Sequence, residues 1–390
     1  MHIVGGLYRE ICHIPAWNTI FGSGGRAGAA ISRLSPGSTL YAYTEDFDNE
    51  RVVSLRRLGI QTKLRSRPTS IVFAYFHPLS TPYVEPSIAD IPRQFPLHVS
   101  GDAVLRFGFL EGDAIVNANR AVYDPQTWRN PAPFGANGST AEELAIVLNE
   151  FELKALGGED ELAGAARKVL AQQEASIVIA KGGIWGATLY ERDQDPFHIP
   201  AYYSSRIFKI GTGDIFSAVF THLWAERRLP ARAAADTASR AVSTYCSSGR
   251  LPLALDTQLN QVAVQSRTKS VVHLEGAIDS IGSRYAMEEA AFALAELGAE
   301  AHCPALDRIA TAPPTAILIL LDGLGTDAEQ ALRHAKASGT PIIALKEGHG
   351  QTAGTQIVEI ADTVTNDFVS ALYLAAWAAM DGSPPPVVPS

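Results

Sequence analysis

Cysteine is scarce in this 390-residue chain, with only Cys12, Cys246 and Cys303, all far apart. An odd, scattered set without a C-x-x-C pair excludes a disulfide framework and fits a reducing compartment. Long apolar runs are also missing, since none approaches the roughly 18–20 residues that span a bilayer as a helix. There is no basic run, and the formal net charge is −9. That balance argues against nucleic acid and against an anionic membrane surface as partners. The opening MHIVGGLYREICHIP lacks a charged segment followed by a long apolar one, so it does not read as a signal peptide. These absences make a soluble, cytoplasmic protein the expectation.

What is present is ordinary globular material, 46% hydrophobic and 19% charged. The length predicts two or three domains. Short apolar runs alternate with helical patterns, the mark of α/β architecture. The pattern predicts strands over 2–4, 70–75, 114–117, 176–180 and 187–190, and helices over 141–155, 159–173, 214–226 and 231–246. Residues 250–269 are poorly patterned and read as a linker or crossover. The alternation then restarts, with strands over 270–275, 316–321 and 341–344 and helices over 284–297, 328–338 and 367–379. The proline-rich end, 381–390, is too poor in apolar residues to fold and is expected to be disordered.

The most informative stretch is Phe208-Lys-Ile-Gly-Thr-Gly-Asp214-Ile-Phe-Ser-Ala-Val-Phe220. Small residues Gly211, Thr212 and Gly213 let backbone amides converge in front of a helix. Such an N-terminus carries unpaired N–H donors and partial positive charge, which suits an anion. Asp214 beside an anion pocket makes sense as a base, and phosphoryl transfer to a hydroxyl needs both parts. G-x-G-D alone fits an N-capped helix equally well.

Further motifs point the same way. A glycine-rich turn, Gly22-Ser-Gly-Gly-Arg-Ala-Gly28, leads into a helix expected over 29–34. Tyr123-Asp124-Pro125-Gln126, Asn149-Glu-Phe-Glu152 and Lys181-Gly-Gly-Ile-Trp-Gly186 follow in order, before Gly211-Thr-Gly-Asp214. In this order, residues 1–255 resemble the PfkB (ribokinase-like) family of sugar and nucleoside kinases. The resemblance implies a three-layer αβα domain that uses ATP and Mg²⁺. It implies Asp214 as the base and Gly211, Thr212 and Gly213 as the anion hole. Asn149, Glu152, Lys181, Gly183, Gly186 and Lys209 would then lie on the ATP side, with Glu152 orienting Mg²⁺ through water. Glu10, Gly24, Gly25, Arg26 and Asp124 would meet the phosphate acceptor. Arg26 also reads as a surface residue, and Asn149 and Glu152 also read as an exposed helix end. Where the family usually carries Asp-Thr, beside a bound monovalent cation, this chain has Phe208-Lys209, so the Lys209 ammonium is expected to stand in for that ion.

Residues 270–380 resemble, more distantly, the nucleoside 2-deoxyribosyltransferase family. The likeness rests on Val271-Val-His-Leu-Glu-Gly-Ala277, Ala316-Ile-Leu-Ile-Leu-Leu-Asp322, Gly325-Thr-Asp-Ala-Glu329 and Gly339-Thr-Pro-Ile-Ile-Ala-Leu345. It implies a smaller, Rossmann-like α/β domain, with Glu329 as nucleophile and Asp322 as its orienting partner. Glu329 also fits a plain first-turn helix residue. The expected organisation is thus a kinase domain (1–255), a linker (256–269), a nucleoside- or nucleotide-binding domain (270–380) and a tail. Its expected partner is a sugar or nucleoside, with a homodimer as the open assembly state.

Overall fold

The apolar run Leu144-Ala-Ile-Val-Leu148 lies inside a nine-stranded sheet, where a helix was expected over 141–155. In the computed structural model, which describes residues 1–127, 131–254, 261–265, 269–322, 324, 328–348 and 355–386, Thr140–Asn149 is a strand and only Glu150–Gly157 is helical. Glu142 and Glu143 favour a helix locally. The run after them is buried between parallel neighbours on both sides, and that burial outweighs propensity.

The chain divides into two units. The first comprises Met1–Gly182, Gly186–Pro200 and Lys209–Asn260. Its sheet runs, across the strands, Phe197–Ile199, Ala187–Glu191, Ile177–Lys181, Thr140–Asn149, Ala114–Asp124, Leu97–Phe107, His2–Val4, Thr39–Thr44, Gln61–Ser66. All neighbours are parallel except the first two pairings, which are antiparallel. Helices Glu150–Gly157 and Leu162–Gln172 cover one face, where Leu153, Ala165 and Val169 join Val4, Ile146 and Val178 in one core. Helices Gly22–Ile31, Thr212–Phe220 and Ala231–Ser248 pack successively on one another. The α/β expectation holds.

Residues 66–100 supply two strands of a separate four-stranded sheet. Val72–Tyr75 pairs with Arg9–Cys12 and with Tyr83–Glu85, and Arg9–Cys12 also pairs with Trp17–Ile20. The glycine-rich stretch 22–28 is no turn but the first part of the helix Gly22–Ile31. Its glycines serve close packing, because a Cβ on Gly24 would lie 2.6 Å from the Gly5 carbonyl oxygen.

The second unit comprises Gly183–Trp185, Ala201–Phe208 and Gln261–Ser390. Its five described strands are all parallel, in the order Glu300–His302, Val271–Gly276, Ala316–Leu320, Ile342–Leu345, Thr363–Thr365. That is the 2-1-3-4-5 order of a doubly wound sheet, whose switch point lies between the first and third strands in sequence. The buried helix Phe368–Asp381 packs on it, capped by Asp367, whose carboxylate accepts from the Ser370 amide at 2.7 Å. Of the expected linker, 256–260 and 266–268 lie outside the described residues, as does 387–390 of the tail. No helix among the described residues is long and apolar enough to cross a membrane.

Removing the Asp367 cap should cost about 1 kcal/mol of stability. Urea unfolding of Asp367→Ala, followed by circular dichroism, checks this as a lowered midpoint against the parent chain.

Candidate active site

Helix Thr212–Phe220 starts after Gly211, whose φ of +76° is left-handed. The apolar stripe of Ile215, Phe216, Val219 and Phe220 is buried and seats the helix between its two neighbours. Asp214 is therefore held in the first turn, 7% exposed. The Thr212 amide donates back to the Lys209 carbonyl at 3.3 Å. At Gly213 a Cβ would lie 3.4 Å from Lys181 Nζ, so the lysine ammonium sits over this helix start.

The main surprise is Arg26. It is 1% exposed, and its guanidinium bridges Glu10 and Asp214, reaching Asp214 Oδ2 at 2.8 Å. Glu10 also accepts from the Gly22 amide at 3.1 Å. The Arg26 side chain passes so close to Gly211 that a Cβ there would lie 2.1 Å from its Nε. The other Asp214 oxygen, Oδ1, accepts from the Gln126 side-chain amide at 2.7 Å. Burial pushes the Asp214 carboxyl up; Arg26 pulls it down, Glu10 and Asp124 push it up again, and the outcome lies above its usual range. Surface exposure of Arg26 is thus corrected. A guanidinium between two carboxylates is enclosed because its charge is compensated.

A second pair lies alongside. Lys181 Nζ donates to Asp124 Oδ2 at 2.8 Å, and Ser217 Oγ donates to the same oxygen at 2.7 Å. Burial works against the Lys181 ammonium, but Asp124 and Glu152 outweigh it and hold it above its usual value. Asp124 is 1% exposed, and both of these groups meet its Oδ2. Asn149 and Glu152 form a capping box on helix Glu150–Gly157, each accepting from the other's amide at 2.8 Å. They are not an exposed helix end, because Glu152 is buried, and burial with the nearby Asp124 pushes it up to about 7. Lys209 donates to Thr212 Oγ1 at 3.0 Å, and burial pushes its ammonium down.

Glu10, Arg26, Asp124, Lys181, Gly211, Thr212, Gly213 and Asp214 are therefore linked through direct contacts, with Lys209 joined through Thr212. Gly25 faces Leu7 instead. Gly186 closes the hairpin after Lys181 by accepting from the Gly182 amide, and Gly183 belongs to the second unit. Three contributors escaped sequence reasoning. Gln126 was legible only as the end of the Asp-Pro-Gln element, nothing local marks Ser217, and Tyr245 lies far along the chain, its hydroxyl donating to the Ile210 carbonyl at 3.0 Å. Lys181 and the helix start suit phosphate groups. Among the described residues no cluster of three or more His, Cys, Asp or Glu could hold a metal. Glu152, near Asp124 and Lys181, is the carboxylate that a hydrated divalent cation could use.

In the second unit, Asp322 lies at the strand ends, where it accepts from the amides of Glu347 and Gly348 at 3.0 and 3.1 Å. It lines a hollow of about 540 Å³ with Ala277, Asp279, Ser280 and Glu347, at the switch point of the sheet. Glu329 is ion-paired with Arg333 at 2.7 Å and is not among the residues lining that hollow. Gly325 and Thr326 of the expected motif lie outside the described residues.

No family model matches the chain. A curated 5-dehydro-2-deoxygluconokinase of Listeria monocytogenes serovar 1/2a is 26% identical over 222 residues, 51% of this chain and 67% of the relative. A second, from serotype 4a, is 28% identical over 141 residues, and the match spans 42% of its length. Half of this chain is thus similar to a carbohydrate kinase. Among solved structures, a fructokinase from Vibrio cholerae O395 superposes with a TM-score of 0.47 at 14% identity, covering 65% of this chain and 95% of that one. A pyrophosphate-dependent kinase in the ribokinase family gives 0.45 at 13% identity, over 66% and 98%.

Because the guanidinium fills the space beside Gly211, Gly211→Ala should combine left-handed strain with a clash against Arg26. A loss of about 2–4 kcal/mol is expected, from strain of about 1 kcal/mol and overpacking of about 1–3 kcal/mol. Equilibrium urea denaturation of the variant, read through intrinsic fluorescence, measures it.

Proposed function

We propose that the first unit is an ATP-dependent sugar kinase of the PfkB (ribokinase-like) type. The observation that carries this reading is the buried Asp214, set in the first turn of a helix whose start lies under the Lys181 ammonium. A carboxylate and a phosphate-binding cation in one enclosure are what transfer to a hydroxyl requires. The curated relatives, named as kinases of a deoxygluconate, support a polyhydroxylated acid or sugar as acceptor.

Bound Mg·ATP supplies the phosphoryl group and part of the charge neutralisation. Lys181, positioned by Asp124, holds phosphate oxygens in front of the helix. Arg26, positioned by Glu10, keeps Asp214 Oδ2 fixed. The acceptor hydroxyl approaches Oδ1, taking the place of the Gln126 amide, and gives its proton there. Lys209 provides an ammonium beside Thr212, where a monovalent ion would otherwise balance charge.

A second reading has its own support. The Arg26–Asp214 ion pair also suits a ligand sensor, in which the carboxylate is a structural partner and no phosphate is transferred. For the second unit, the hollow at its switch point, lined by Asp322, favours a nucleoside or nucleotide ligand.

Phosphorus NMR of the full chain with Mg·ATP and a panel of sugars, sugar acids and nucleosides separates kinase from sensor. Turnover of one acceptor is expected, and Asp214→Asn should lower kcat by about 10²–10⁴-fold. ATP left intact with every acceptor would support the sensor. The pH profile carries a further signature. Asp214 must be ionised to act, and its carboxyl lies above the ordinary range. The acid limb of kcat/KM should therefore fall above about pH 4, the usual aspartate value. Arg26→Met removes the cation that favours the ionised form, so that limb should move to higher pH. Replacing K⁺ by choline at constant ionic strength should leave the rate unchanged, and a tenfold loss would remove Lys209 from its role.

A further inference from the structure

We propose that a basic hollow at the edge of the large sheet binds a phosphorylated small molecule, separately from the Asp214 cluster. The hollow measures about 570 Å³, and its lining includes Tyr41, Phe47, Arg56, Lys63, Arg65 and His98. None of these residues takes part in the network around Asp214.

Lys63 and Arg65 stand two positions apart on the edge strand Gln61–Ser66, so they share one face of the sheet. Neither makes an ion pair among the described residues. Lys63 Nζ donates to the Tyr41 hydroxyl at 3.2 Å, and Arg65 donates to the carbonyls of Phe95 and Pro96 at 3.0 Å. Those partners orient the cations without cancelling their charge. Arg56 comes from the last turn of helix Glu50–Arg57, and its pair with Asp48 at 2.9 Å is exposed, 44% and 82%, so it neutralises little. His98 comes from a third element, the strand Leu97–Phe107.

Edge strands often carry lysine to prevent pairing with other chains. That accounts for Lys63 alone, but not for a concave site in which cations from a helix and a strand converge. Nor does overall composition explain it, since the chain carries a net charge of −9. Three permanent cations facing one exposed carboxylate reverse that sign locally, and concavity focuses the field. The fork of a guanidinium beside a lysine ammonium matches a phosphate dianion. The volume lies in the range of small-molecule sites and exceeds what a lone phosphate fills. Phe47 on the rim, 43% exposed, offers an apolar contact to the organic body of an ester.

Isothermal titration of the full chain at low salt, with glucose 6-phosphate, AMP, glucose and inorganic phosphate, tests the site without any assay of turnover. The expected result is that at least one ester binds, more tightly than inorganic phosphate, and that raised salt weakens it. Lys63→Gln/Arg65→Gln should weaken that ester at least tenfold, while Lys181→Gln leaves it bound. The single variant Lys63→Gln, at an exposed position, should keep the parent circular dichroism spectrum and show a partial loss. Wild-type affinity in the double variant overturns the proposal, as does loss of binding in Lys181→Gln alone. Inorganic phosphate binding as tightly as the esters also overturns it.

Discussion

The guanidinium of Arg26 is the constraint around which the first unit's candidate site is arranged. It joins three segments distant in sequence, through Glu10, its own helix and Asp214. An arginine with 1% exposure is tolerable only while both carboxylates stay in place, since breaking a buried pair costs about 3–5 kcal/mol. Its neighbours are selected by this demand. Gly211 must lack a Cβ, and Glu10 must also receive the Gly22 amide that opens the helix carrying Arg26. Phe21 lies beneath it, with the Arg26 guanidinium 5.1 Å from the ring centre and that of Arg51 at 3.7 Å. Two cations on one ring remain compatible because Arg26 has its own acid partners and Arg51 donates to the Ile20 carbonyl and the Thr19 hydroxyl.

Charge is balanced in adjacent steps rather than by one pair. Arg26 answers Glu10 and Asp214, while Lys181 answers Asp124. Four carboxyls, those of Glu10, Asp124, Glu152 and Asp214, then lie among three cations, Arg26, Lys181 and Lys209. The excess of acid is relieved at two of the four: burial pushes Glu152 up to about 7, and Asp214 also lies above its usual range. A bound phosphate would deepen the imbalance by adding negative charge. In the proposed kinase, neutralisation by Mg²⁺ is therefore part of binding and not only of the chemical step.

The sequence disclosed elements whose pattern was one-sided and hid those whose pattern was shared. The stripe from Ile215 to Phe220 can only be a helix face, and that helix is present. Residues 140–149 pair good helix formers with a short apolar run, and only the neighbouring strands decide between the two states. Gly22–Gly28 looked like a turn because glycine is costly in helices. Close approach to the Gly5 backbone leaves no room for larger residues, so packing overrules propensity there. The Asp214, Lys181 and Asn149 motifs were visible as types and spacing. The Arg26–Asp214 contact was not, since it spans 188 positions and nothing local signals it.

That contact does not by itself remove Asp214 from chemistry, because the carboxylate has two oxygens in unequal environments. Oδ2 receives its bond from the Arg26 guanidinium, where donor and acceptor are both charged, whereas Oδ1 receives its bond from the uncharged Gln126 amide. An incoming hydroxyl that replaced the amide would exchange one neutral donor for another, at little net cost. Replacing the guanidinium would instead strand Arg26 beside Glu10 alone. The asymmetry therefore assigns different work to each oxygen in the proposed reaction: Oδ2 anchors the side chain, and Oδ1 is the exchangeable one. Retention of Gln126 on Oδ1 with acceptor bound would leave only the second lone pair of that oxygen for substrate, and the same geometry would then favour the sensor reading.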